Sequence, residues 1–229
     1  MTEEQNNTDP TQMMEAVLRT TLAGSLASFW QNKPADSQNS EVSRYLDMVK
    51  GENRYFHGVE YLVQCIALLR EVPDFLLEDK PHLIAAILFH KVYYDPRKGL
   101  KSIRKSCEIA SRYYPGEKTV ALFSLIKATR FSALIKHRYH DDRAYIADIV
   151  MYVYGLPWEE FRQVWAKILR EFDSANYRPV RFKKLTAKQL RKMLNCAQRF
   201  GFFQTSYFRE RFEAQAISNV KQLLEEISS

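Results

Sequence analysis

Segment after segment of this chain repeats its apolar residues every three to four positions, the period of an amphipathic helix and not the alternation of a strand. That pattern predicts an all-α fold. Leu18, Leu22, Leu26 and Phe29 form one stripe within 13–30; Val59, Leu62, Val63, Ile66 and Leu69 form another within 57–69. Phe208, Phe212, Ile217, Val220 and Leu224 make a last stripe, in a helix from about Tyr207. Residues 83–92 (LIAAILFHKV) are apolar on all sides, which predicts a central buried helix, and Asp79 and Pro81 mark its start. Further helices are expected over 102–113, 118–131, 142–154 and 157–172, with Gly155 and Pro157 dividing the last two. The polar run 32–40 reads as a loop before a short helix from Glu41, and Thr186 with Gln189 reads as a capping box opening a helix to Phe200. Gly 7 and Pro 8 among 229 residues leave little punctuation for a turn-rich fold. The expectation is one globular domain of about eight to ten helices over 13–227, preceded by a mobile tail at 1–12.

Lys and Arg number 34 against 27 Asp and Glu, a formal charge of +7. One acid-free stretch, with Arg178, Arg181, Lys183, Lys184, Lys188, Arg191 and Lys192, carries the whole excess. A local excess of this kind disfavours nucleic acid as a partner, because Leu185, Leu190, Met193 and Leu194 make the same stretch an ordinary amphipathic helix with a solvated face. A second acid-free run, Arg97, Lys98, Lys101, Arg104 and Lys105, is a candidate anion surface. No stretch approaches the roughly 18 apolar residues of a membrane span, and the polar, acidic beginning MTEEQNNTDP is unlike a signal peptide. A cytoplasmic location is therefore expected, with Cys65, Cys107 and Cys196 as reduced thiols. Neither GxGxxG nor GxxxxGK[ST] occurs, so no dinucleotide or P-loop site is expected.

Of the five histidines, at 57, 82, 90, 137 and 140, His90 is the most informative because it ends the central apolar run. A buried imidazole there must find a hydrogen-bond partner or a metal. His57 opens the preceding helix within Arg54-Tyr55-Phe56-His57, Asp95 follows the central helix and Asp148 lies on a later one. Imidazoles and carboxylates converging in this way suit a divalent metal that holds a water; taken singly, each is as well explained by packing.

The order of short motifs resembles the predicted metal-dependent phosphohydrolases of the HD superfamily, in their small, stand-alone, all-helical group. RYFHGVEYL from Arg54, AILFHKVYYDP from Ala86, SIRKSCEIA from Ser102, IKATRFS from Ile126, DIVMYVYG from Asp148 and LREF from Leu169 stand where that group has RxYHxxxHI, AxxFHDxxYD, NExxSA, xATxxH, DxDLxxLG and RxEY. FFQTSYF from Phe202 and AQAISNV from Ala214 continue the order, so the resemblance covers about 13–227. It implies a metal held by a His, a His-Asp doublet and a distant Asp.

The departures from that pattern fall on the metal ligands. The doublet is His90-Lys91, Tyr61 replaces the second His of the first motif, and Ile103, Ser132 and Val150 replace a Glu, a His and the second Asp of DxD. Arg54, His57, His90, Asp95, Thr129 and Asp148 remain, with Lys91 beside them and the Arg170-Glu171 pair as a support. An ammonium about 4 Å from a would-be cation repels it by roughly 4 kcal/mol at an effective dielectric of about 20. No cofactor is expected: Lys91 would take the metal's place, pairing with Asp148 or Asp95, or would simply reach solvent. The resulting expectation is a degenerate phosphohydrolase homologue that binds a phosphate-containing small molecule, a nucleotide or another protein at the remnant pocket. The alternatives are an active phosphohydrolase with one divalent metal on His57, His90, Asp95 and Asp148, and a nucleic-acid-binding helical protein.

Overall fold

Asp9 accepts from the backbone N–H of Thr11 at 3.0 Å and Pro10 takes the first helical position, so helix α1 (Pro10–Trp30) begins before the expected Met13. The computed structural model describes residues 9–30, 34–130, 137–176 and 179–228. Residues 1–8, Phe131, Ser132, Tyr177 and Arg178, and the side chains of Phe29 and Arg181, lie outside the described residues. Among those described there are ten α-helices and no strand. After α1 come α2 (Ala35–Lys50), α3 (Val59–Glu71), α4 (Lys80–Phe89), α5 (Gly99–Ala110) and α6 (Glu117–Ala128). The second half adds α7 (Asp142–Val150), α8 (Trp158–Ser174), α9 (Pro179–Phe200) and α10 (Ser206–Ser228), with 3₁₀ turns at Asp74–Leu76 and Tyr152–Gly155.

The central helix is α4. Asp79 caps it, its carboxylate accepting from His82 N at 2.9 Å, and Leu83 and residues 85–89 are sealed from solvent. It packs against α1, α3, α5, α6 and α7, which explains a segment apolar on every face. Tyr45 of α2 also fixes it, donating its hydroxyl proton to Leu88 O at 2.6 Å. The second layer is built on α10, which packs on the Tyr152–Gly155 turn, on α8 and on α9. Asn219, fully buried in α10, donates Nδ2 protons to Tyr154 O and Leu156 O at 2.8 and 2.7 Å. The approach is closest at Gly155, where an added Cβ would lie 2.5 Å from Phe212 Cβ.

Other expected boundaries move as well. Helix α2 starts at Ala35, inside the stretch expected to be a loop, because its first turns are solvent-facing and polar residues suffice there. The Thr186-Gln189 pair opens nothing: α9 runs unbroken from Pro179, and Thr186 is buried in mid-helix. No helix among the described residues is long and apolar enough to cross a membrane. The basic residues Lys183, Lys184, Lys188, Arg191 and Lys192 lie on the exposed face of α9, while Phe182, Leu190 and Met193 face inward.

Candidate functional site

A cavity of about 520 Å³ lies between the C-terminal end of α4 and the inner faces of α8 and α9. His57, Tyr61, His90, Lys91, Tyr94, Asp95 and Thr129 contribute its polar end. The rest of its wall is largely carbon, from Phe56, Val150, Met151, Trp165, Ile168, Phe172, Phe182 and Leu190. His57 and His90 thus meet in one cavity, as the sequence led one to expect.

Arg54 shapes this end without serving as a ligand-binding cation. It donates to His57 O and Lys91 O from Nη1 at 3.0 and 2.6 Å, and to Val92 O from Nη2 at 2.9 Å. The guanidinium therefore ties the turn before α3 to the carbonyls at the end of α4, where the helix dipole favours a cation.

Glu171 of α8 holds the same turn from the other side. Its Oε1 accepts from Phe56 N and His57 N at 2.9 and 2.8 Å, and its Oε2 is 2.7 Å from His57 Nδ1. Burial opposes ionisation of this carboxyl, but the hydrogen bonds from His57 and the two backbone N–H groups outweigh it and hold the group below its usual value. An ionised Glu171 assigns the His57 proton to Nδ1 and leaves Nε2 as a lone-pair acceptor on a cavity-lining ring. Burial, then the Lys91 charge, lower His57 from 6.5 to about 4, so it is neutral at pH 7. The expected Arg170-Glu171 partnership is not formed: Arg170 is exposed and stacks on Tyr55 at 4.1 Å, and the buried pair is Glu171 with His57.

His90 is a satisfied core histidine. Nδ1 donates to Ile87 O at 2.7 Å, so Nε2 accepts from the Tyr61 hydroxyl at 3.1 Å. The lone pair a metal would need is occupied, and burial followed by the Lys91 charge lowers this imidazole to about 3.

Lys91 pairs with neither expected carboxylate. Its ammonium lies 4.9 Å above the Tyr94 ring, and among the described residues no acidic group is within ion-pair distance of it. Burial lowers it from 10.5 to about 8, partly opposed by the charge of Glu171 and reinforced by Arg54, so it is mainly charged at pH 7. Asp95 is instead held by Arg97 N at 2.9 Å, Arg97 Nε at 3.3 Å and Lys98 Nζ at 3.1 Å. Two members of the candidate anion surface, Arg97 and Lys98, thereby share one carboxylate. Lys101 and Arg104 remain exposed, and Lys105 lies over Tyr93 at 5.1 Å.

Asp148 is outside the cavity. It caps the start of α10, accepting from Gln204 N at 2.7 Å and from Thr205 N and Oγ1 at 2.8 Å. Burial nevertheless pushes its carboxyl up to about 7. The α7 residue that does face the cavity is Val150. Thr129 lines the cavity but donates its hydroxyl to Ile126 O at 2.8 Å. The set His57, His90, Asp95 and Asp148 is therefore not assembled, and among the described residues no three His, Cys, Asp or Glu side chains form a metal-holding group.

The pairing of Glu171 with His57, the place of Tyr94 in the cavity and the carbon wall of α8 and α9 escaped the sequence reading. The helical spacing of Trp165, Ile168 and Phe172 was the available signal. Comparison of the chain with family models, with curated proteins and with solved structures finds no match.

Proposed function

We propose that this chain is a degenerate homologue of the HD-superfamily phosphohydrolases, and that it binds an anionic, phosphate-containing small molecule without metal-dependent hydrolysis. The observation that carries the reading is the Lys91 ammonium, which lines the cavity with no acidic partner among the described residues. Its neighbours add to the case. His57 presents a neutral imidazole, His90 has both nitrogens occupied, and Val150 puts carbon where the resembled family keeps a carboxylate. An anion at Lys91 exchanges its hydration for a charge-assisted contact in a low-dielectric pocket, and the aromatic face of Tyr94 holds the ammonium in place.

Thermal unfolding in inorganic phosphate tests this. At about ten times the dissociation constant a ligand adds roughly 1.4 kcal/mol, or about 3 to 5 °C for a domain of this size. Wild type should show that rise and Lys91→Met should not. An equal rise in both proteins, or about one tightly held Mn, Fe, Ni or Zn per purified chain, overturns the proposal.

A further inference from the structure

The far wall of the cavity narrows the ligand. Trp165, Ile168 and Phe172 follow one another on a single face of α8, and Phe182 and Leu190 face them from α9. The Trp165 and Phe182 rings stack at 5.9 Å, and Phe172 meets Phe182 at 4.4 Å. Yet Trp165, Ile168 and Phe172 stay partly exposed although they point inward, because the cavity leaves that face uncovered. Apolar area left wet inside a fold is what an apolar ligand body can bury. Thr186 and Gln189 are the polar exceptions on α9.

The charge at the other end is small. Arg54 gives three N–H groups to backbone carbonyls and is not among the cavity-lining residues, and Arg130, which does line the cavity, is already engaged. Lys91 therefore offers one positive charge. A nucleotide brings two or more negative charges, several ribose hydroxyls and a base edge. Each such polar group buried without a partner weakens binding, and this wall offers few partners.

We propose that the cavity takes an amphiphile with a single negative head, in its simplest form a straight-chain carboxylate, with the head at Lys91 and the chain between α8 and α9. This rests on the Lys91 anion site of the reading above; a phosphodiester head carries the same single charge as the carboxylate, which serves as the simplest probe of the class. A cavity of about 520 Å³ falls within the usual range for sites that enclose a ligand of this kind.

Isothermal calorimetry with octanoate, decanoate and dodecanoate, each below its micellar concentration, tests the proposal beside 1-decanol and inorganic phosphate. Affinity should rise about four-fold for each methylene added. Lys91→Met should bring decanoate to within about two-fold of 1-decanol, and Ile168→Ser should flatten the chain-length series. Trp165→Ala, at a part-exposed wall position, gives the same reading if Ile168→Ser does not fold. Phosphate binding with no gain from chain length overturns the amphiphile but leaves the anion site standing. A chain-length gain that Lys91→Met leaves unchanged overturns the head-group assignment and marks non-specific apolar binding. Binding of neither probe overturns both readings.

Discussion

Replacing Glu171 separates its charge from its shape. In Glu171→Ala the N–H groups of Phe56 and His57, and the Nδ1–H of His57, lose acceptors now at 2.9, 2.8 and 2.7 Å. Each buried donor left unpaired costs about 1 to 3 kcal/mol, and water entering through the cavity favours the low end. The sum is about 3 to 5 kcal/mol, the range found when one partner of a buried pair is removed. Set against a total stability of about 5 to 15 kcal/mol, that is a large fraction. Glu171→Gln keeps a carbonyl oxygen for the two backbone donors and loses only the acceptor facing Nδ1, so it should cost about 1 to 2 kcal/mol. It should also drive the His57 proton from Nδ1 to Nε2. Urea unfolding followed by circular dichroism at pH 7 measures the two costs, and nitrogen-15 shifts of the imidazole report the tautomer. Equal costs for both variants, or a loss under 1 kcal/mol in Glu171→Ala, would refute the view that this carboxylate holds the turn.

Acid should unfold the protein through its neutral imidazoles. His57, at about 4 when folded against 6.5 when unfolded, binds protons better in the unfolded chain. Its contribution is complete above pH 6.5 and is lost as pH falls toward 4, by about 3 kcal/mol. His90, lowered to about 3, acts in the same direction, so a urea midpoint unchanged between pH 7 and 4.5 would contradict the assignment. At the other end of the fold, Gly155→Ala should destabilise by about 1 to 3 kcal/mol, because the new Cβ meets Phe212 Cβ at 2.5 Å. In a double-mutant cycle with Phe212→Gly, which removes the clashing Cβ, the two losses should sum to more than the double variant shows; strict additivity would place the strain elsewhere.

The helices were legible because burial imposes a period on sequence, and α4 was the clearest because its caps and its core agree. Convergence of His57 and His90 was legible for the same reason. Asp148 was misread because two positions on one short helix, 148 and 150, point to different surroundings, and only packing tells which one meets the cavity. Glu171 was misread by adjacency. Neighbours on a helix do not share a face, so Arg170 and Glu171 could not both turn inward, and the partner of Glu171 lies 114 residues away. The beginning of α9 was hidden because a four-residue capping pattern also fits two side chains, Thr186 and Gln189, on the cavity side of a continuous helix.

The inward position of Val150 bears on how far this pocket is from holding a divalent ion. An acid at position 91 would stand beside a His90 whose lone pair Tyr61 already holds, and across from the carbon surface of α7. An acid at 150 alone would line the same cavity as the Lys91 ammonium and offset its charge, creating no opening for a cation. Release of His90 at position 61 would leave that charge untouched. Three substitutions, each unhelpful without the others, separate this pocket from one that could accept a divalent ion. A divalent-ion site is therefore out of reach of any single substitution in this pocket, and a one-residue change here alters which anion fits rather than which metal binds.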